Sequence, residues 1–158
     1  MRCTILCVGK LKEKWQVAAC AEYLKRLSRY GSFEVVEVPD YPEPEKSSPA
    51  LEMQLVEREG KGILAKIKPA DYVVALCIDG AAPDSVALSK LTDAWAMAGA
   101  RVVFTIGGSL GLSEDVVRRA DYRLSFSNMT FPHPLMRVIL LEQLYRARKI
   151  ASGERYHK

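Results

Sequence analysis

Two stretches, residues 72–78 and 101–106, do most to limit what this chain can fold into. Neither alternates polar with apolar side chains. Each is close to a continuous apolar run, and each is closed by glycine, at Asp79-Gly80 and at Gly107-Gly108. A strand with one face in water alternates, so these two must be covered on both faces. The usual cover for such strands is a layer of helices on each side of a parallel sheet.

The rest of the chain supplies those partners. Residues 4–8, 33–38 and 122–126 read as further strands, and 12–30, 49–66, 84–98, 113–120 and 134–152 read as helices. In 12–30 the apolar Trp15, Ala18, Ala19, Tyr23, Leu24 and Leu27 recur at three- and four-residue steps, which predicts that this stripe faces the core. Asp84 or Ser85 and Ser113 stand where N-caps belong, and Gly153 stops the last helix. Residues 39–49, with four prolines, three carboxylates and two serines, form a loop. Strand and helix alternate throughout, with no repeat and no linker. The expectation is one α/β domain over residues 1–158, with a mostly parallel sheet covered by helices.

In open sheets of this kind, ligands bind outside the carboxyl ends of the strands. Three such ends carry unusual residues: Leu76 to Gly80, Ile106 to Gly111, and Ser125 to Pro132. The glycine loop after Ile106 lacks the spacing of a dinucleotide fingerprint and the lysine of a phosphate loop. It reads as a tight turn or as a place where a ligand meets backbone. Residues 125–132 are small, polar and apolar by turns, then fixed by Pro132 and Pro134. Backbone groups beside an apolar shelf suit a flat heteroaromatic ring better than a phosphate.

Acid, base and metal groups are scarce. The histidines are His133 and His157, and no nucleophile triad or carboxylate pair is evident. The four cysteines form no CxxC pair, which argues against a structural zinc. Cys3, Cys7 and Cys77 lie in apolar runs and read as small buried hydrophobes. This poverty fits a reaction whose electrophile arrives already activated, the protein supplying binding and orientation. No run approaches the roughly 20 apolar residues of a membrane span. Lys10, Lys12 and Lys14 follow too soon after the first residue for a signal peptide, so the expected location is the cytoplasm.

The formal charge of +4 arises entirely after residue 132, where six basic residues face two acidic ones. That predicts a polyanionic partner, or simply a solvated helix end suited to the helix dipole. On the last helix, Glu142, Arg146 and Lys149 make one polar line, and Arg137 and Arg148 a second. Apolar residues lie on both sides between them. Such a helix touches its own sheet and a second subunit in a two-fold dimer, or else is deeply buried.

Three segments then carry a family resemblance: Phe104 to Leu112 (FTIGGSLGL), Leu124 to Arg137 (LSFSNMTFPHPLMR), and Glu142 to Ala147 with the terminal Tyr156-His157-Lys158. Together with residues 4–10 they resemble the ribosomal RNA large subunit methyltransferase H family, a small member of the SPOUT class. The resemblance implies a homodimer with a C-terminal trefoil knot that binds S-adenosylmethionine. It implies methylation of N3 of a pseudouridine in 23S ribosomal RNA, on assembled ribosomes. Position by position, it places cofactor contacts at Leu76, Gly108, Ser127, Asn128, Met129, Thr130, Phe131 and Pro132. His157 and Tyr156 become candidate catalytic groups on a tail that reaches the partner's site, with His133 as the other candidate. Arg137, Arg148, Arg155 and His133 become the expected RNA contacts. A side chain at Gly108 is expected to fill the cofactor's approach and leave the fold intact. The alternatives are a non-catalytic ribosome-binding factor of the same fold, and a nucleotide-binding domain with a small-molecule substrate.

Overall fold

The computed structural model describes residues 1–42 and 46–156; residues 43–45 of the expected loop, and His157 and Lys158, lie outside them. The strands are β1 (Arg2–Val8), β2 (Ser32–Val38), β3 (Tyr72–Ala81), β4 (Val102–Ile106) and β5 (Tyr122–Leu124). The helices are α1 (Lys14–Leu27, extended by one 3-10 turn), α2 (Pro49–Leu64), α3 (Ser85–Met97), α4 (Glu114–Arg119) and α5 (His133–Ala151). All strand pairs are parallel, in the order β2-β1-β4-β3-β5. The α/β architecture expected from the two apolar runs is what forms.

The pleat sorts the core into two layers. Cys3, Ile5 and Cys7 of β1 face one side, where they pack with Leu27 of α1, Trp95 of α3 and Leu140, Leu141 and Leu144 of α5. Leu6 and Val8 face the other side, against Ile63 of α2 and Val116 of α4. The first layer also holds an aromatic cluster, with the Trp95 ring 5.3 Å from both Tyr72 and Tyr122. Moves toward β2 cross over the α1/α3 face, and moves toward β5 cross over the α2/α4 face. All four crossovers therefore share one hand, as the twist of parallel sheets requires.

Local sequence explains the helix ends. Ser48, Asp84 and Ser113 each accept a backbone N–H of the first turn with their side chains. Gly60, a poor helix former, allows α2 to approach α4: a Cβ there would overlap the Ser113 hydroxyl.

Two expectations need correction. On α1 the inward stripe is Gln16, Cys20 and Leu27, with Tyr23 and Leu24 packed beside it. Trp15 is 55% exposed and Ala18 faces water, so the first turn is rotated from the expected stripe. β3 is buried on both faces only at Val73, Val74 and Ala75; beyond them Cys77 is half-buried and Ile78 exposed. The reason is a break in register: Leu124 pairs with both Leu76 and Ala81, and residues 77–80 bulge outward between them.

β5 is an edge strand, yet α5 packs between α1 and α3 near the middle of the sheet. Residues 125–132 must therefore cross the carboxyl ends of β3 and β4. That crossing positions the site.

Candidate active site

A cleft of about 820 Å³ opens at the carboxyl ends of β3, β4 and β5. Its size is that of a small-molecule site. The bulge after Leu76 forms one wall, residues 107–112 the floor, and residues 125–131 the opposite wall.

The floor is a tight glycine turn. The Gly111 amide donates to the Gly108 carbonyl at 3.1 Å, and Gly111 has φ +86°, a conformation glycine adopts without strain. At Gly107 a Cβ would overlap the Gly111 carbonyl and stand 2.8 Å from the Leu112 nitrogen. The turn closes only because residue 107 has no side chain. Gly108 differs from its expected role. A Cβ there would point away from solvent, to within 2.8 Å of Glu59 Oε2 and 3.2 Å of Val8 Cγ1. A larger residue at 108 therefore presses on the sheet–α2 contact, and the Glu59 carboxylate must shift to admit it.

The opposite wall is held by its own short bonds. Ser125 Oγ donates to the Ser127 carbonyl at 3.1 Å, and the Met129 amide donates to Ser127 Oγ at 3.0 Å. Of the expected cofactor set, Leu76, Gly108, Ser127, Met129, Thr130 and Phe131 line the cleft, and Asn128 and Pro132 do not. Pro132 instead starts α5, its carbonyl accepting from Leu135 and Met136. The lining also includes Gly107 and Phe126, within the strand ends singled out from the sequence, and Leu112, Met136, Arg118 and Arg123, which lie outside them. The strand-end rule pointed to most of these segments; the strand register was needed to show which side chains turn inward.

Cys77 stands in the cleft wall rather than the core. Burial, then the neighbouring Asp79, pushes its thiol up to about 11, so it stays protonated and is a poor nucleophile at neutral pH.

The expected RNA-contacting arginines are differently employed. Arg137 is 1% exposed; Nη1 donates to Glu37 Oε1 at 2.7 Å and Nη2 to the Gly9 carbonyl at 3.0 Å. Arg148, its side chain 11% exposed, pairs with Asp93 at 2.8 Å and donates to Thr92 at 2.9 Å, tying α5 to α3. Both guanidiniums are held inside the fold, and neither presents a face to a phosphate. Their shared line on α5 is a structural seam. Arg155 is exposed.

Tyr156 packs edge-on against Tyr145, ring centres 5.0 Å apart, and donates to Glu142 at 3.2 Å. Burial, then the Glu142 charge, pushes the phenol up to about 12, so it keeps its proton at neutral pH. α5 carries its later residues away from the cleft, and nine residues separate Met136 from Tyr145, about 13 Å at the helical rise. Tyr156 therefore lies far from the cleft of its own subunit.

His133 opens α5 beside the cleft and is half-buried. Burial lowers its pKa, the Arg137 charge lowers it further, and Asp40 opposes both. The imidazole is neutral at pH 7. A proton NMR titration is expected to place His133 below 6.5, its ordinary value. Because the unfolded chain then takes up the proton first, this residue's contribution to stability falls as pH drops below 6.5. A midpoint at or above 6.5 would contradict the burial.

Comparison with known proteins recovers the same parallel-sheet fold. The family described as "Predicted SPOUT methyltransferase" matches residues 1–157, and the chain belongs to it. The solved structure of a probable methyltransferase from Bordetella pertussis Tohama I shares the fold at a TM-score of 0.59 and 15% identity, over 92% of this chain and 95% of that one. More particular is the likeness to proteins named ribosomal RNA large subunit methyltransferase H. The one from Alkaliphilus oremlandii is 50% identical over 159 aligned residues, with all of both chains covered. That from Clostridium novyi is 51% identical, again over the whole of both chains.

Proposed function

We propose that this protein transfers the methyl group of S-adenosylmethionine to N3 of a pseudouridine in 23S ribosomal RNA, acting as a homodimer on assembled ribosomes in the cytoplasm. One observation carries the reading. The cleft lies where the strand ends pointed, in a chain that matches ribosomal RNA methyltransferases from end to end.

The cleft suits the cofactor. Gly107 to Gly111 offer backbone groups without side chains in the way, and Leu76, Leu112 and Phe131 offer apolar surface for a purine. Residues 127–132, with Leu76 and Gly108, form the cofactor set; Asn128 and Pro132 act by shaping the wall rather than lining it. The trefoil knot of the family falls on the crossing at residues 125–132.

When bound, the sulfonium supplies a methyl group already activated for displacement. The chain's own residues bind, orient and exclude water, which is why so few acids and bases are needed. The N3–H of the base must still be lost, and a positioned acceptor assists. Tyr156 keeps its own proton, so the acceptor on the tail is His157. Because Tyr156 lies beyond the far half of α5, the tail serves the cleft of the second subunit. Leu135 and Ile139, half-buried on α5 and outside both core clusters, support a subunit contact there.

Two substitutions test this division of labour in a methyl-transfer assay on ribosomes. Tyr156→Phe should keep most of the turnover. His157→Ala should lower kcat on the order of 100-fold with cofactor affinity unchanged. Undiminished turnover in His157→Ala would refute the assignment.

A further inference from the structure

We propose that the loop joining β1 to α1 and the first turn of α1, with Lys10, Lys12, Lys14 and Trp15, form the surface that seats an unpaired stretch of the RNA, Trp15 stacking on one of its bases. The inference rests on the proposed RNA substrate and names where that substrate is held. Its first observation is Trp15, an indole left 55% exposed on a helix whose apolar stripe runs through other residues. Val17, on the same turn, is exposed as well. Lys10, Lys12 and Lys14 are all exposed, against one carboxylate in the run, Glu13. Aromatic faces for bases among cations for phosphates are the working parts of a single-strand site.

The loop is also held in place. The Gly9 amide donates to the Val38 carbonyl at 2.9 Å. Its carbonyl accepts from Arg137, and Glu37 Oε1 accepts from both Arg137, at 2.7 Å, and the Leu11 amide, at 3.4 Å. Arg137 thus holds the base of the loop from the first turns of α5, six residues beyond the wall of the cleft. The buried cation that cannot meet a phosphate positions the cations that can.

Location agrees. β1 is the neighbour of β4, and Val8 stands beside Gly108 in the cleft floor. The loop leaves the same carboxyl edge of the sheet. A base displayed at the cleft and a strand lying along this loop can belong to one RNA segment. Three exposed lysines against one carboxylate favour a polyanion as the occupant.

The test compares wild type with Trp15→Ala, Trp15→Phe and the triple variant Lys10→Gln, Lys12→Gln, Lys14→Gln. Binding to ribosomes is measured by sedimentation and methyl transfer in the same samples, so that binding is judged even where transfer fails. Trp15→Ala should raise the dissociation constant and KM for ribosomes about tenfold with kcat unchanged, and Trp15→Phe should recover most of the loss. The triple variant should flatten the slope of log affinity against log salt by about 2, at roughly 0.7 per lost phosphate contact. Cofactor affinity and molecular mass should not move. Unchanged ribosome affinity and salt slope would overturn the proposal, as would a shift from dimer to monomer, which would make the patch a subunit contact. Wild-type binding without transfer would count against the proposed reaction while leaving the surface to be judged on affinity.

Discussion

Replacing Gly107 with alanine is expected to abolish useful cofactor binding, with a loss on the order of 100-fold or more, about 2.8 kcal/mol. The reason is backbone against side chain. The added methyl would overlap the Gly111 carbonyl and press on the Leu112 nitrogen, neither of which can move without opening the turn that floors the cleft. Neighbouring Gly108 provides the contrast. There the added group meets Glu59 and Val8 in the interior, so Gly108→Val should lower the unfolding temperature as well as weaken binding. Calorimetric titration with S-adenosylmethionine, beside thermal unfolding, separates the two. Normal affinity in Gly107→Ala would show that the turn does not form the binding floor.

Arg137→Met should cost about 3 kcal/mol of folding stability, measured by denaturant unfolding. The guanidinium is almost fully buried and holds both Glu37 and the Gly9 carbonyl. Removing it leaves a main-chain acceptor without its donor and a half-exposed carboxylate without its cation. A surface arginine that merely touched RNA would give the opposite pattern, a stable protein with weakened ribosome binding. Stability within about 0.5 kcal/mol of wild type would contradict the structural role.

The contrast between these residues shows what could be read from the chain alone. Residues 72–78 and 101–106 declared a sheet covered on both faces, because no half-solvated strand has that composition. The strand-end rule then led to the glycine turn and to residues 125–131. Periodicity also grouped Arg137 with Arg148 on one line of the last helix. It could not say what that line faces. The partner of Arg137 is Glu37, 100 positions away, and only the packing of α5 between α1 and α3 brings them together. The same holds at Gly108, where a missing side chain has a direction that sequence does not carry. Trp15 is a third case. Its spacing put it on the core stripe, but a small rotation of the first turn leaves Gln16 inside and the indole outside. Helical spacing defines faces relative to one another, and tertiary contact fixes their absolute orientation.

The central claim is that this protein methylates ribosomal RNA within assembled ribosomes. The most direct test incubates the protein with S-adenosylmethionine labelled in the methyl group, offering intact ribosomes and naked 23S RNA in parallel. The account predicts label in the large-subunit RNA of the ribosomes and none in the naked RNA. Label in neither, with calorimetry showing the cofactor bound, would contradict it and point to a different acceptor.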